Sequence, residues 1–336
     1  MTEQKEINMI QAINYALDHA LKMDNNVILL GQDIGQNGGV FRASINLEKI
    51  YGSERVIDMP LAENLIAGAA VGMACQGLKP IAELQFMGFI YPAIDQIINH
   101  ASRMRNRTRG RLSCPIVYRA PYCGGIGAPE HHSESTEAMF AHIPGIRVAI
   151  PSSPARAYGL LLAAIKNPDP VIFLEPKKIY RNIKQNVLLD GKPFPLDKAF
   201  LMQEGNDITI VSWGATLYEA LKATKYLASN GISIELIDLA TIKPIDSKTI
   251  INSVKKTGRC IIAHEANKTC GVGAEIAAII ADECFHHLQA PIKRVTGSDS
   301  IMPYYKLEHE FLVSDREIIK SAISIMERKN DKLSLA

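Results

Sequence analysis

Short apolar segments alternate with amphipathic ones along almost the whole chain, and this alternation constrains the fold more than any other feature. Apolar runs without polar interruption are typical of strands buried on both faces, and the intervening segments carry apolar residues at helical spacing. The predicted strands are 27–31, 80–86, 115–118, 146–150, 171–174, 208–213, 232–237, 259–263 and 292–295. The predicted helices are 8–22, one beginning near Glu63, 93–98, 154–166, 216–229, one beginning near Ser247, and 271–284. Strands alternating with helices predict an α/β protein with parallel sheets in three layers.

The alternation is interrupted once, at residues 182–206, where glycines and prolines lie among polar residues. This composition is typical of a linker between domains. A chain of 336 residues is long enough for two domains with separate cores. We therefore predict a first domain over residues 1–185, a linker over 186–204, a second domain over 205–326 and a polar tail over 327–336.

Composition excludes several broad classes of protein. With 47% hydrophobic and 21% charged residues the chain is typical of a globular protein, and its net charge of +2 gives no general attraction to nucleic acid or an anionic membrane. The six cysteines form no CxxC pair, so we predict reduced and mostly buried thiols. The sequence has no signal-peptide pattern and no apolar run of membrane-spanning length. We expect a cytoplasmic protein.

Glu63 is the carboxylate that stands out, because it opens a run of alanines, glycines and other apolar residues. Desolvating a lone charge is costly, so a glutamate in such a setting suggests chemistry. The alternative is structural, since a carboxylate in the first turn of a helix is favoured by the helix dipole. Small residues after it would let a backbone or a flat ligand approach closely.

Two glycine-rich loops and an arginine stretch are further candidates. The loop 31–42 lacks the order of a dinucleotide-binding fingerprint, and a plain turn is the alternative. The loop 122–135 ends in His131 and His132, which could transfer protons or bind a carboxylate, hold a metal, or serve only as loop polar groups. Arginines alternate with other residues over 103–111; nucleic acid is one candidate partner, but a solvated or subunit-facing segment is favoured because aromatic residues are absent there.

Several ordered motifs together are similar to one family. The chain resembles the β subunit of the thiamine-diphosphate-dependent decarboxylating first component of 2-oxo acid dehydrogenase complexes. Bacterial pyruvate dehydrogenase is the nearest type, and the branched-chain enzyme is close behind. The resemblance covers about residues 6–326, and its motifs are Gly31–Gly35, Gly38–Arg42, Pro60–Glu63, Ala82–Phe86, Asp95–Ile97, Pro129–Ser133, Phe173–Arg181 and Lys256–Arg259.

The resemblance implies the fold and the roles of individual residues. It implies a pyrimidine-binding domain for thiamine diphosphate followed by a transketolase C-terminal-like domain. Glu63 matches the glutamate that hydrogen-bonds N1′ of the cofactor's aminopyrimidine, and Phe89 matches the aromatic residue stacked on that ring, with core packing as the alternative. Leu61 and Gln85 belong to the same implied cofactor site. His132 matches a histidine near the substrate carboxylate and the later acyl transfer to lipoamide.

The resemblance also implies partners, because half of the cofactor site is missing. The family holds Mg²⁺ and the diphosphate through a Gly-Asp-Gly motif, and this sequence has none. A separate α subunit carrying the Mg²⁺ ligands, an α₂β₂ heterotetramer and a lipoyl-bearing dihydrolipoyl acyltransferase are therefore implied, with no nucleic acid or membrane partner. Pyruvate is the predicted substrate. Branched-chain 2-oxo acids or acetoin are alternatives, and a non-catalytic binding protein on the same fold is a further one.

Two departures from the family pattern bear on its sites. Gln32 stands where the family has a glutamate in a proposed proton path, and an amide cannot ionise. The family can also carry a structural K⁺, whose ligands would here be Ile116, Ala164, Ile165, Asn167 and Asp169, although Asn167 and Asp169 are exchanged in type.

Overall fold

In a computed structural model, residues 3–331 are described and form two compact units. The first unit extends to Leu196, and the second begins at Asp197, with Gly127–Glu130 assigned to the second. The division falls within the segment predicted as a linker. Among the described residues, no helix combines the length and the apolar character needed to cross a bilayer.

The first unit is built on a parallel sheet. Its strands are β1 (Glu3–Ile7), β2 (Val27–Gly31), β3 (Val56–Asp58), β4 (Lys79–Glu83), β5 (Val117–Tyr122), β6 (Arg147–Ala149), β7 (Val171–Pro176) and β8 (Gln185–Leu189). Its α-helices are α1 (Met9–Met23), α2 (Leu47–Tyr51), α3 (Glu63–Cys75), α4 (Met104–Arg107), α5 (Glu137–His142) and α6 (Pro154–Lys166). Within the sheet the order is β6-β7-β5-β4-β2-β3, and every adjacent pair is parallel.

Local chemistry explains where the main helices of this unit begin. Asn8 and Gln11 form a reciprocal capping box at the start of α1, and the Ser153 hydroxyl accepts from the Arg156 N–H at the start of α6. Strands β2, β5 and β7 are buried at every residue, as expected for inner strands of a parallel sheet. Helices α1 and α6 pack against each other, and α3 packs on β4.

The structure differs from the sequence prediction in two segments of the first unit. The helix predicted over 93–98 is a broken series: 3₁₀ turns at Tyr91–Ala93 and Ala101–Arg103 flank a π-helical stretch at Gln96–His100. Apolar spacing predicts a helical face, but it does not distinguish these hydrogen-bond registers. Strands β1 and β8 pair with each other in antiparallel fashion and were not predicted, because their residues alternate between exposed and buried only weakly.

The second unit contains another mainly parallel sheet. Its strands are β9 (Phe200–Gln203), β10 (Ile208–Ser212), β11 (Ile234–Asp238), β12 (Thr241–Lys243), β13 (Cys260–Asn267) and β14 (Lys293–Gly297). Its α-helices are α7 (Thr216–Ser229), α8 (Ser247–Thr257), α9 (Val272–Cys284), α10 (Glu308–Phe311) and α11 (Asp315–Asp331). Five of the strands form a sheet in the order β14-β13-β10-β11-β9, in which β9 is antiparallel to β11.

Helix α11 is an element that the sequence prediction lacked. It packs against α7, and its residues Ile318, Ala322 and Ile325 are buried in the core of the second unit. The segment predicted as a polar tail, 327–336, is therefore helical as far as Asp331, and residues 332–336 lie outside the described residues. Four of the six cysteines are buried, Cys75 is half-buried and Cys270 is exposed, which agrees with the prediction of mostly buried thiols.

Candidate active site

Glu63 is the first residue of α3, as the sequence predicted, and it is half-buried. Because Glu63 is in the first turn, its carboxylate lies at the positive end of the helix dipole. The preceding residue, Ala62, provides no side-chain cap. Among residues 3–331, no hydrogen bond or ion pair engages this carboxylate. The Met59 N–H donates to the Gly31 carbonyl at 2.9 Å and ties the approach to α3 to the end of β2.

Apolar side chains near Glu63 in the sequence are exposed to solvent. Leu61 is 73% exposed and Leu65 is 50% exposed, although both are large hydrophobic residues. The small residues of α3 serve close packing: a Cβ at Gly68 would lie 3.3 Å from Gln96 Oε1, whereas Gly72 faces open space. A carboxyl group without a partner beside exposed apolar side chains suits the binding of a flat heterocycle. The apolar side chains would contact the ring, and the carboxyl group could hydrogen-bond one ring nitrogen.

Phe89 and His132 come together, as members of an aromatic and histidine cluster formed with Phe86 and His131. Their ring centroids are 5.2 Å apart in an edge-on arrangement, and Phe86 lies edge-on to His132 at 4.5 Å. His131 is 5.8 Å from Phe89. The cluster joins the turn Met87–Phe89, which follows β4, to the turn Glu130–His132, which follows β5. Loops at the carboxyl ends of parallel strands are the usual ligand position of such sheets.

Gly88 makes this approach of the two turns possible. A Cβ at this position would lie only 2.0 Å from the His131 carbonyl oxygen, so no other residue fits without moving the backbone. His132 is half-buried, and its Nδ1 is buried with no hydrogen-bond partner among the described residues. A buried polar atom without a hydrogen-bond partner is uncommon in proteins, and it marks His132 as a candidate for a functional role.

A buried charge cluster lies beside these loops, and sequence reasoning assigned it no role. Arg119 of β5 makes a bidentate pair with Glu175 of β7, with Nε–Oε1 2.7 Å and Nη2–Oε2 2.9 Å, and also pairs with Glu83 of β4. The Tyr180 hydroxyl donates to Glu175 at 2.6 Å. All four residues are buried. The available signal was a charged residue, Glu83, Arg119 or Glu175, in each of three mainly apolar strands.

The two carboxylates share one guanidinium, and the pKa values of Glu83, Arg119 and Tyr180 are shifted within this cluster. Burial, together with the nearby Glu175, raises the pKa of Glu83 despite the opposing Arg119 charge. Burial disfavours the charged guanidinium of Arg119, but Glu175 and Glu83 outweigh it and raise its pKa. Burial and the Glu175 charge also raise the pKa of Tyr180 well above its usual value. The cluster therefore holds two carboxyl groups, Glu83 and Glu175, against the one guanidinium of Arg119.

The glycine-rich loop 31–42 packs onto this cluster. A Cβ at Gly39, whose φ is +78°, would lie 2.9 Å from Glu83 Oε1. Phe41 contacts both Phe86 and Tyr180, with ring centroids 5.5 and 5.1 Å apart. The loop therefore connects the buried charges to the aromatic cluster around His132. Gln32 and Gln85, singled out from the sequence, are half-buried.

The residues of the predicted K⁺ site lie at the opposite end of the strands, where β5 and β7 begin. Three backbone carbonyls there each accept one hydrogen bond: Ile116 from the Val171 N–H at 2.9 Å, Ala164 from the Asn167 N–H at 3.1 Å, and Asp169 from Asn167 Nδ2 at 3.1 Å. The Asp169 carboxylate pairs with Arg105 at 2.7 Å. Each carbonyl retains a second lone pair, and neutral oxygens of this kind are the ligands that a large monovalent cation prefers. No group of three or more His, Cys, Asp or Glu side chains suited to a metal occurs within the described part of the chain.

Comparisons with known proteins define the class first. Residues 5–182 match the family model for the transketolase pyrimidine binding domain, and residues 197–318 match the model for the transketolase C-terminal domain. A solved structure titled as a split gene transketolase, inactive beta4 tetramer, shares the fold with a TM-score of 0.79 at 22% identity, over 97% of this chain and 100% of that one. The chain is thus a two-unit, transketolase-like α/β protein, as predicted.

Sequence relatives are more specific. Pyruvate dehydrogenase E1 component subunit beta of Acholeplasma laidlawii is 50% identical over 90% of this chain and 93% of the relative. The Bacillus subtilis protein of the same name is 43% identical over 96% of this chain and 99% of the relative. The 2-oxoisovalerate dehydrogenase subunit beta of Dictyostelium discoideum is 48% identical over 93% of this chain and 84% of the relative. The chain belongs to the family of pyruvate dehydrogenase E1 component β subunits, which confirms the resemblance.

Proposed function

We propose that this chain, together with a separate α subunit, oxidatively decarboxylates pyruvate and transfers the acetyl group to the lipoyl group of a dihydrolipoyl acyltransferase. The relatives named as pyruvate dehydrogenase subunits support the substrate. The observation that carries the chemistry is the Glu63 carboxylate, which is unengaged at the start of α3. Such a group can exchange a proton with a ring nitrogen bound beside it.

The cofactor we propose is thiamine diphosphate, which supplies the electron sink for cleaving the bond to the leaving carboxylate. Glu63 would hold a proton at N1′ of the aminopyrimidine, and Phe89, Leu61 and Gln85 would enclose that ring. His132 would bind the substrate carboxylate and later assist acyl transfer, and its position against Phe89, with 5.2 Å between ring centroids, supports this role.

The diphosphate half of the site would belong to the partner chain. No Gly-Asp-Gly motif occurs in this sequence, so we assign Mg²⁺ and the diphosphate to the α subunit of an α₂β₂ heterotetramer. The amide of Gln32 cannot ionise, so Gln32 cannot relay a proton along the path proposed between active sites. A cytoplasmic location stays a prediction.

A branched-chain 2-oxo acid is the second candidate substrate, and the Dictyostelium relative favours it. The test is to co-express this chain with its α partner and compare pyruvate with 2-oxoisovalerate in a CO₂-release assay. The proposal predicts a higher kcat/KM for pyruvate. A preference for 2-oxoisovalerate would establish the alternative, and turnover of neither would favour a non-catalytic binding protein.

The proposed structural K⁺ has its own test. The ligands would be Ile116, Ala164, Ile165, Asn167 and Asp169, and we expect the complex to unfold at a higher temperature in KCl than in choline chloride at equal ionic strength. Equal unfolding temperatures in the two salts would contradict this site.

A further inference from the structure

A cavity lined by arginines lies in the first unit, at the amino ends of strands β6 and β7. Its volume is about 720 Å³, within the range of pockets that hold small molecules. Ile98, Ala101, Ile143 and Pro144 provide apolar lining, and Arg103, Arg105 and Arg109 provide the charge. The aromatic and histidine cluster, by contrast, follows the carboxyl ends of β4 and β5.

The positive charge of this cavity is in excess. Three arginines and one carboxylate, Asp169, line it, which leaves a net charge of +2 in one concave site. The whole chain has the same formal net charge, so the cavity concentrates charge that the rest of the molecule balances. Clefts lined by one sign of charge attract counter-ions strongly.

Two of the arginines are held in ways that leave their terminal nitrogens available. Arg105 uses Nε to pair with Asp169 at 2.7 Å, and Arg103 uses Nε to donate to the Ile98 carbonyl at 3.2 Å. Arg109 makes no side-chain hydrogen bond or ion pair with the described residues. Guanidinium groups with open Nη atoms bind phosphates and carboxylates in a bidentate manner.

The backbone around Arg109 is fixed in an uncommon conformation. Arg109 has φ +54° and Gly110 has φ +79°, and the turn is closed by bonds from the Gly110 N–H to the Arg105 carbonyl and from the Leu112 N–H to Thr108 Oγ1. A left-handed conformation at a non-glycine residue costs free energy that the surrounding bonds must offset. Gly145 also lines the cavity, and a Cβ there would lie 2.1 Å from the Ser102 carbonyl oxygen, so this position has no room for a side chain without moving the backbone.

We propose that this arginine cavity binds a small ligand with two or more negative charges joined to an apolar or aromatic group, such as a nucleoside diphosphate. The guanidinium groups would bind the charges, and the apolar lining would contact the rest of the ligand. A concave site favours this over nucleic acid, which is bound along grooves with aromatic residues that this segment lacks.

The test is calorimetric titration of the assembled α–β complex, saturated with thiamine diphosphate and Mg²⁺ so that the cofactor's own diphosphate site is filled. ADP, pyrophosphate and inorganic phosphate are the probes. We expect ADP to bind saturably with one site per chain, more tightly than pyrophosphate, and phosphate to bind most weakly. Arg109→Gln should weaken ADP binding by about tenfold or more, since a charge-assisted hydrogen bond is lost.

Arg107→Gln is the matched control, because Arg107 is in the same segment but does not line the cavity. It should change the affinity for ADP less than about twofold. The proposal is overturned if ADP does not saturate, if Arg107→Gln and Arg109→Gln weaken binding equally, if pyrophosphate binds as tightly as ADP, or if an oligonucleotide displaces ADP. Pyruvate decarboxylation by the same preparations reports separately on the proposed function.

Discussion

His132 lies in a turn that follows β5 of the first unit and His264 lies within β13 of the second, and their surroundings differ sharply. His132 is half-buried between Phe86 and Phe89, in a loop whose neighbour His131 is exposed. His264 is fully buried and stacked on Trp213, with ring centroids 4.9 Å apart and planes within 12°. Both histidines have a nitrogen without a hydrogen-bond partner among the described residues.

The comparison shows that burial distinguishes a histidine that could take part in catalysis, His132, from one that only packs in the core, His264. A Cβ at Gly273 would lie 2.6 Å from His264 Nε2, so that imidazole is enclosed by backbone. Burial, with a smaller contribution from the Arg294 charge, lowers the pKa of His264 to about 3, and the ring is neutral at ordinary pH. His132 is less deeply buried than His264, which is why it remains the candidate.

The largest expected effect is the loss of catalysis when His132 is replaced. His132→Ala in the assembled complex should lower turnover by roughly 10²–10⁴-fold, the usual contribution of a positioned proton-transfer group. Decarboxylation and lipoyl acylation are measured separately, to identify which half-reaction fails. His131→Ala, an exposed neighbour, is the control and should retain most activity. Equal losses from both variants would refute a specific role for His132.

The buried charge cluster predicts the next largest effect, this time on stability. Arg119→Met leaves Glu83 and Glu175 buried without their guanidinium and should lower the free energy of unfolding by roughly 3–5 kcal/mol. Urea denaturation of the complex measures this, with exposed Arg107→Met as the control. Adding Glu83→Gln and Glu175→Gln to Arg119→Met should restore part of the loss. A triple variant as unstable as Arg119→Met would contradict the assignment.

The smallest of these effects, taken per pH unit, is the pH dependence contributed by His264. Its pKa is lowered in the folded state, so between about pH 3 and 6.5 the unfolded chain binds more protons than the folded one. Stability should therefore fall as the pH falls through this window, by at most about 1.4 kcal/mol per pH unit from this group. His264→Phe should flatten the curve of unfolding free energy against pH. An unchanged slope would show that other groups dominate.

Much of the fold follows from local signals. The capping Ser153 with Pro154 placed the start of α6, and the apolar run 27–31 coincides with β2. Strands β1 and β8 carried no comparable signal, because antiparallel pairing between distant polar segments depends on where the rest of the chain brings them. The irregular helical turns after Tyr91 depend on hydrogen-bond registers that apolar spacing does not encode.

The sequence singled out candidate site residues but did not show the contacts between them. Glu63 at a helix start could be inferred from the apolar run that follows it. The contact of Phe89 with His132 depends on Gly88 admitting the His131 carbonyl, a long-range fit that the sequence does not display. The pairing of Arg119 with two carboxylates requires the strand order β7-β5-β4, which single-sequence patterns leave open.

The most direct test of the account concerns Glu63. The C2 proton of thiamine diphosphate, bound to the α–β complex, is followed by NMR during exchange with deuterated water. Glu63→Ala should bind the cofactor and assemble, yet slow C2 exchange by about 10²-fold or more, while Asn64→Ala exchanges at the wild-type rate. Wild-type exchange in the Glu63→Ala complex would contradict the proposed role of Glu63.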